Sequence, residues 1–445
     1  MNSQLVSRNR SSEIRALLRI AIPLALGELG WMAMNVVDTI MVGRLPESAV
    51  AIGATSVGGA VFYAFGIFAL GLMSGMDARV SQAFGASDWR GARRSLAGGL
   101  ALAGLTVLPV MGLILSAIPL LGVIGVEPAV RNEAAGFARV LAWSLPPLLL
   151  YTVFRRYLQG VHHVRPVVFA LVSANLVNIF GNWLLIYGHW GLPSLGVRGS
   201  ALSTVLARIY LAAVLFMAIR RHDPGAFRGF QVVSSEVRRL LELGLPAALT
   251  IGFEVGVFNV VTALAGTLDP VSVAAHAIAL NAASVTYMVP LGIGSAAAVS
   301  VGRALGAGEP RRAASVGWMS LGLASGYEIF SAMSFIFLGR QIAKVYTEDA
   351  GVISLAIRLL IIGAVFQLFD GLQTVATGAL RGAGDTTTAM VWNLLCYWAI
   401  ALPAGYWFCF HLGWGVAGLW DGLCGALILI GIGLLAAWHQ HSKLT

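Results

Sequence analysis

Twelve long apolar runs constrain this chain more than any other feature of its sequence. Each is about 20 to 30 residues long, and about 20 apolar residues are enough for a helix to cross the hydrocarbon core of a bilayer. They fall at 17–43, 48–76, 92–120, 134–158, 165–188, 196–219, 240–267, 271–300, 314–339, 352–379, 385–410 and 414–438. Only 11% of the residues are charged, against about 25% in soluble domains. We therefore predict an all-α integral membrane protein with twelve transmembrane helices.

The arginines predict how these helices are oriented. They cluster in every second connection between runs, as at 90–94, 155–165 and 220–228, whereas the alternate connections are poorer in positive charge. By the positive-inside rule the arginine-rich side faces the cytoplasm. We therefore expect a multi-pass protein of the inner (plasma) membrane with both termini in the cytoplasm. The net charge of +9 is accounted for by these loops, so no nucleic-acid partner is predicted.

The two halves of the chain repeat one another. Residues 17–23 resemble 240–246, and three further short motifs recur in the same order at separations of 219 to 223 residues. This indicates an internal duplication, with a first lobe at 1–220, a cytoplasmic linker at 221–236 and a second lobe at 237–445. Six helices per half give both lobes the same orientation, related by a pseudo-twofold axis along the membrane normal. Transporters built in this way bind their substrate at the interface between repeats.

The first apolar run carries carboxylates at membrane depth. Glu28, Trp31, Asn35 and Asp38 fall within roughly 80° of one another on a helical wheel. A carboxylate at this depth costs several kcal/mol, so it normally faces a bundle interior or a water-filled cavity. Asp38 could be a buried structural acceptor or a protonation or cation site. We favour the second interpretation, because other runs offer matching oxygen ligands; Glu28 receives no assignment.

The fifth and sixth runs supply those ligands. Asn175, Asn178 and Asn182 follow one stripe of a helix, and Thr204 lies in the next run. The structural alternative is that these amides only hydrogen-bond neighbouring helices. The functional interpretation is that amide and hydroxyl oxygens assist Asp38 in holding Na⁺, since hard cations prefer oxygen ligands, or in orienting a proton acceptor.

The second half carries its own carboxylates. Glu254 lies in the seventh run, and Asp370 lies in the tenth among several polar side chains. A carboxylate withdrawn from water binds a proton more readily. One elementary charge that crosses 100 mV releases about 2.3 kcal/mol. We interpret the two carboxylates as coupling residues; the alternative is a buried structural pair.

Aromatic and polar side chains near these carboxylates are candidates for a substrate cleft. The candidates are Trp31, Asn35, Phe253, Phe258, Phe366 and Gln367. The alternative is ordinary helix packing. In a cleft they would suit flat lipophilic cations, through apolar burial and cation–π attraction. His276 is interpreted as a core histidine, with a proton relay as the alternative, and Glu328 and Asp421 receive no role.

Several of these motifs together resemble one family. They are the Asp-Thr-Ile-Met-Val-Gly segment at 38–43, Pro23 and Pro246, the Gln-x-x-Gly-Ala segment at 82–86, Gln159-Gly160, the Asn178 and Asn182 pair, and Glu254. The likeness is to the multidrug and toxic compound extrusion (MATE) transporters, and Glu254 with Asp370 resembles their NorM-like branch. It implies a V-shaped pair of six-helix lobes that exports lipophilic, mostly cationic compounds in exchange for Na⁺ or H⁺.

The resemblance also implies roles for matching positions. Asp38, Asn178, Asn182 and Thr204 match the cation or proton site of the first lobe, and Glu254 and Asp370 match the coupling carboxylates of the second. Related NorM-like proteins often carry a tyrosine where this chain has Phe366, which favours H⁺ coupling or Na⁺ binding in the first lobe. No cofactor beyond the coupling ion is implied.

Two other classes of function fit the sequence less well. The sequence has no phosphate loop, metal-ligand spacing or nucleophile elbow, so we do not predict an enzyme. A flippase for a lipid-linked precursor is the alternative transporter, but such proteins tend to carry basic residues in the cleft, whereas the membrane-depth charges identified here are mostly acidic. The predicted partners are therefore small lipophilic cations and the lipid bilayer, and the predicted state is a monomer.

Overall fold

The protein folds almost entirely into helices joined by short connections. The computed structural model describes residues 10–123, 125–228 and 231–444, and these contain no β-strand. Outside the described residues lie 1–9 and 445, at the predicted cytoplasmic termini, residue 124, and 229–230 of the predicted linker. The helices are α1 (Arg10–Val42), α2 (Ser48–Leu72), α3 (Met76–Gly85), α4 (Trp89–Ala117), α5 (Leu120–Val123), α6 (Pro128–Ala142), α7 (Leu145–Gly160), α8 (Arg165–Tyr187), α9 (Gly196–His222), α10 (Ser234–Ala265), α11 (Pro270–Gly306), α12 (Pro310–Tyr346), α13 (Ala350–Ala383), α14 (Thr387–Asn393), α15 (Leu402–Tyr406) and α16 (Val416–Leu444).

Short helical segments of other geometry connect some of these helices. The 3₁₀ turn Met73–Gly75 joins α2 to α3, and a second such turn, His189–Gly191, follows α8. Two π-helical segments, Leu394–Ala401 and Trp407–His411, flank α15. The turn Met73–Gly75 and the two π-helical segments thereby join their neighbours into single long spans, Ser48–Gly85 and Thr387–His411.

The described residues contain the predicted number of membrane spans. Eleven helical segments are long and apolar enough to cross a bilayer, and α6 with α7 makes a twelfth. Six of these lie before the connection between α9 and α10, and six lie after it. The predicted all-α membrane fold is confirmed.

Proline residues alter two of the predicted helices. The run 134–158 was expected to be one helix, but α6 and α7 meet at a bend of 46°. Pro146 and Pro147 lie in the first turn of α7, where they cannot donate hydrogen bonds back to α6 and their rings crowd the preceding turn. In the run 385–410, the π-helical segment Leu394–Ala401 ends just before Pro403. This proline also cannot donate a backbone hydrogen bond, and its ring crowds the preceding turn.

The chain divides into two compact units. Unit two is Leu29–Gly252, and unit one combines the chain up to Glu28 with the chain from Phe253 onward. Helices α1 and α10 therefore each contribute their first part to one unit and their second part to the other. The predicted lobe boundaries at 220 and 237 rest on the sequence repeat and stay a prediction.

The duplication is visible as one backbone contact made twice. In unit one, a Cβ added to Gly292 of α11 would lie 2.5 Å from the Cα of Ala25 in α1. In unit two, a Cβ added to Gly71 of α2 would lie 2.5 Å from the Cα of Ala248 in α10. Only glycine allows two helix backbones to approach so closely. The two contacts are related by the same spacing as the sequence repeats.

Ion pairs hold the connection between α9 and α10 onto the rest of unit two. Arg93 of α4 pairs with Asp223 at 2.5 Å, and the Tyr157 hydroxyl of α7 donates to the same carboxylate at 2.7 Å. Arg79 of α3 pairs with Glu236 at 2.7 Å. Burial opposes the charge of Asp223, but the hydrogen bonds from Arg93 and Tyr157 outweigh it and hold the pKa of Asp223 below its ordinary value.

Candidate functional site

The predicted residues of the first half meet around the carboxylate of Asp38. Asp38 is half-buried in α1. The Asn182 amide of α8 donates to Asp38 Oδ1 at 2.5 Å, and the Thr204 hydroxyl of α9 donates to Asp38 Oδ2 at 3.3 Å. The same Asn182 nitrogen lies 3.3 Å from Asn178 Oδ1, one helical turn earlier. The structure therefore brings together all four residues that the sequence analysis grouped.

The oxygen atoms of this cluster suit either a proton or a hard cation. Asn178 and Asn182 are fully buried, and within the described part of the chain Asn182 Oδ1 and Asn178 Nδ2 have no hydrogen-bond partner. Rotating the Asn182 amide by about 180° exchanges its nitrogen and oxygen. Na⁺ would then meet oxygens from Asp38, Asn182, Asn178 and Thr204, which is the ligand chemistry it prefers. In the present orientation the amide instead stabilises an ionised carboxylate.

Asp38 faces a cavity inside unit two. Its volume is about 300 Å³, and Asp38 and Thr204 line it together with Asn35, one of the predicted cleft residues. Its other lining residues are Thr39, Thr55, Ser56, Gly59, Ala60, Tyr63, Phe137, Leu141, Ser200 and Arg208. A cavity of this size, lined by both polar and apolar groups, gives the carboxylate access to small solutes.

The cavity also contains a buried cation that sequence analysis missed. Arg208 of α9 is 2% exposed. Its Nη1 donates to Ser144 Oγ at 2.5 Å and its Nη2 to the Tyr63 hydroxyl at 3.3 Å. Its Cζ lies 4.9 Å from the ring centre of Phe62 and 5.6 Å from that of Trp31. An arginine in the middle of the apolar run 196–219 was the available signal. The charges at membrane depth in this unit are therefore not only acidic.

The predicted carboxylates of the second half meet in unit one. Glu254 of α10 is half-buried, and Asp370 of α13 is 6% exposed. They lie close enough to interact electrostatically. Tyr287 of α11 lies beside Glu254, and Tyr287 and Tyr397 are each within electrostatic range of both carboxylates. Neither tyrosine was identified from the sequence, although each interrupts an apolar run. They bring phenol oxygens to this region although Phe366 has none.

The remaining predicted cleft residues lie mostly in packed surroundings. Phe366 is 2% exposed and its ring lies 6.0 Å from that of Phe258 and 5.7 Å from that of Trp420. Gln367 is fully buried, and Phe253 is half-buried. In unit two, the Trp31 ring stacks on Tyr151 with 6.1 Å between ring centres. That these residues line a substrate cleft stays a prediction.

Two polar residues without a predicted role in coupling are buried in unit one. The His276 ring lies between Trp420, whose Nε1 donates to it at 3.1 Å, and the Thr262 hydroxyl at 2.9 Å. Both ring nitrogens are satisfied, as expected of a core histidine. Glu328 of α12 is 1% exposed, and its Oε2 has no hydrogen-bond partner among the residues described.

Comparison with known proteins identifies relatives along the whole chain. The MatE family profile matches twice, at residues 23–184 and 246–407, which agrees with the duplication. The probable multidrug resistance protein NorM of Mesorhizobium japonicum is 32% identical and covers 97% of this chain and 95% of its own length. The multidrug resistance protein PmpM of Pseudomonas aeruginosa is 34% identical and covers 100% of this chain and 97% of its own length.

Solved structures show the same fold. The eukaryotic MATE transporter AtDTX14 has a TM-score of 0.88 at 21% identity, over 98% of both chains. An outward-facing multidrug resistance MATE transporter of the MOP superfamily has a TM-score of 0.87 at 21% identity, over 97% of both chains. The family match in both halves and the two relatives above 30% identity show that the chain belongs to the MatE family.

Proposed function

We propose that this protein is a secondary active multidrug efflux transporter of the inner membrane. It exchanges lipophilic, mostly cationic compounds for H⁺ or Na⁺. The observation that carries the proposal is the Asp38 carboxylate, which is held by Asn182 and Thr204 beside a cavity at membrane depth. An ionisable residue at this depth is by default a functional group, and relatives along the whole chain are named as multidrug resistance proteins.

The carboxylate performs the ion-binding step. Ionised Asp38 accepts hydrogen bonds from Asn182 and Thr204, so its negative charge is stabilised while no ion is bound. An incoming H⁺ or Na⁺ neutralises that charge and removes the attraction for a cationic cargo. Movement of one elementary charge down 100 mV supplies about 2.3 kcal/mol, which drives moderate uphill export of the cargo.

Unit one supplies a second ion-sensitive group in the proposal. Glu254 and Asp370 repel one another when both are ionised, so the pair favours holding a proton between them. Tyr287 is placed to hydrogen-bond Glu254. We assign Glu254 and Asp370 as coupling residues, with Trp31, Asn35, Phe253, Phe258, Phe366 and Gln367 as candidates for cargo contact.

The orientation follows from the arginine distribution. The connection between α9 and α10 and the ends of the chain lie on the arginine-rich side, which we place in the cytoplasm. We propose that the transporter acts as a monomer, because each unit has its own cluster of ionisable residues.

Transport in proteoliposomes tests the proposal. Purified protein is reconstituted, and export of a fluorescent lipophilic cation is started either by a pH jump or by a Na⁺ jump. We expect one of the two gradients to drive export in the wild type. Export at a rate that neither gradient changes would refute ion coupling. A protein that transports no lipophilic compound under either gradient would refute the proposed function.

Arg208 keeps one alternative open. A basic residue inside the cavity is a feature expected of a flippase for an anionic lipid-linked precursor. Drug susceptibility in a host that lacks its own efflux pumps distinguishes the two functions. Raised resistance to lipophilic cations supports drug efflux, whereas unchanged resistance combined with translocation of an anionic lipid supports the flippase.

A further inference from the structure

Arg208 is a buried charge without a carboxylate in direct contact. Among the described residues no acidic group lies within ion-pair distance of its guanidinium, which instead donates to the neutral oxygens of Ser144 and Tyr63. The rings of Trp31 and Phe62 face the same guanidinium. These contacts fix the position of the positive charge, but they do not cancel it.

The charge is permanent and needs an anion. A guanidinium does not lose its proton in proteins, and an unpaired buried ion costs several kcal/mol. Asp38 is the one acidic side chain among the described residues that line the cavity, and it interacts electrostatically with Arg208. Tyr63 of α2 is the other titratable group that faces Arg208. The cavity with ionised Asp38 is therefore electrically balanced and not anionic.

We propose that Arg208 is a specificity-determining residue, a fixed counter-charge that offsets Asp38 and so limits how tightly the unit-two cavity binds a cation. The inference depends on the proposed function only in treating this cavity as a place where cations bind. Such a counter-charge suits a site that must release its cargo, since an unopposed buried carboxylate would hold a cation too tightly.

A comparison of charged and neutral probes of equal shape tests this role. Phenyltrimethylammonium is a cation, and tert-butylbenzene is its neutral isostere; both are small enough for a cavity of about 300 Å³. Binding of each probe is measured by calorimetry on the purified full-length protein in detergent at one pH. The variants are Arg208→Gln, which removes the charge, and Arg208→Lys, which keeps it.

We expect Arg208→Gln to bind the cation at least about tenfold more tightly than the wild type, because the substitution removes the repulsion between the fixed guanidinium and the bound cation; a tenfold change in affinity corresponds to about 1.4 kcal/mol. Arg208→Lys should stay near the wild type, and no variant should change the binding of the neutral isostere by a comparable factor. Equal cation affinity in the wild type and Arg208→Gln would overturn the inference while leaving the proposed function standing.

A double-mutant cycle keeps the test decisive if Arg208→Gln proves unstable. Asp38→Asn leaves the guanidinium unopposed, so this variant should bind the cation at least about tenfold more weakly. The double variant Asp38→Asn with Arg208→Gln has a neutral cavity and should recover toward wild-type affinity. A double variant as weak as Asp38→Asn alone would assign Arg208 a structural role. Absence of cation binding in every folded variant would overturn both the inference and the use of this cavity as a cation site.

Discussion

Each unit contains its own copy of the same backbone contact, but the two units differ in the chemistry of their interiors. Gly71 with Ala248 in unit two and Gly292 with Ala25 in unit one repeat the same close approach of helices. Unit two surrounds Asp38 with amides, a hydroxyl and a buried guanidinium, whereas unit one places Glu254 and Asp370 near two phenol side chains, with Glu328 also in electrostatic range of Asp370. Duplication preserved the packing of the helices while the polar side chains diverged. The two units are therefore expected to respond differently to the same substitution.

The largest expected effect is at Asp38. Asp38→Asn removes the single carboxylate of its cluster, and hydrogen bonds to a charged group contribute about 1.5 to 3 kcal/mol. We therefore expect ion-driven efflux in proteoliposomes to fall by about 10- to 100-fold. The matched control is Asn175→Ala, on the same face of α8, because the Asn175 amide donates to the carbonyls of Gly30 and Leu171 and not to Asp38. Comparable loss in both variants would mean that α8 packing, and not the carboxylate, sets the rate.

Unit one should tolerate the loss of one carboxylate better, because a second lies nearby. Glu254→Gln and Asp370→Asn are each expected to lower ion-driven efflux about three- to tenfold, about 1 kcal/mol, with less effect on thermal stability. The double variant should lose less than the product of the two single effects, since the groups interact. Glu242→Gln is the control: Glu242 lies on α10 as well, but in an exposed pair with Arg238. Unchanged ion dependence in both single variants would remove unit one from the coupling mechanism.

The sequence predicted contacts within one stripe better than contacts between helices. Asn178 and Asn182 share a face by helical spacing alone, and the rarity of carboxylates at membrane depth pointed to Asp38, so this cluster was predictable. Arg208 was not identified, because its contacts come from Trp31 of α1, Tyr63 of α2 and Ser144 in the connection between α6 and α7, and no periodicity places these residues beside it. Tyr397 was missed for the same reason: the pattern of one run does not show which residues of another run it meets.

The division of the chain into spans and units was also only partly predictable from the sequence. The twelve apolar runs mark the spans well, since length and hydropathy are properties of one segment. The assignment of the first part of α1 to one unit and of its second part to the other depends on contacts with helices far away in sequence, such as the contact of Ala25 with Gly292. No local signal carries that information.

The tyrosines of unit one should produce a smaller effect that distinguishes their roles. Tyr287→Phe removes a phenol oxygen that lies beside Glu254 and is placed to bond it in the proposed mechanism, whereas the Tyr397 hydroxyl donates to neutral Gln373 at 3.3 Å. A hydrogen bond to a charged group contributes about 1.5 to 3 kcal/mol, and one between neutral groups about 0.5 to 1.5 kcal/mol. Tyr287→Phe should therefore change the ion concentration needed for half-maximal efflux more than Tyr397→Phe does. The reverse order would show that Tyr397 is the closer partner of the ion-binding carboxylates.

The smallest effect on transport is expected at Asp223, whose role in unit two is structural. Asp223→Asn weakens the contacts with Arg93 and Tyr157. It should cost about 1 to 3 kcal/mol of stability, measured as a lower melting temperature in detergent. Ion-driven efflux per folded molecule should stay within about twofold of the wild type. The pKa of Asp223 lies below its ordinary value of 3.8, so its stabilising contribution is complete above that value and is lost as the pH falls through the lowered pKa. The difference in melting temperature between the wild type and Asp223→Asn should thus be constant from about pH 7 to 5 and should decrease toward zero below about pH 4. Tyr157→Phe should show a smaller difference with the same pH dependence, because it removes only one of the hydrogen bonds to the carboxylate. A difference that persists at low pH would show that the asparagine disturbs packing between α9 and α10 rather than the ion pair.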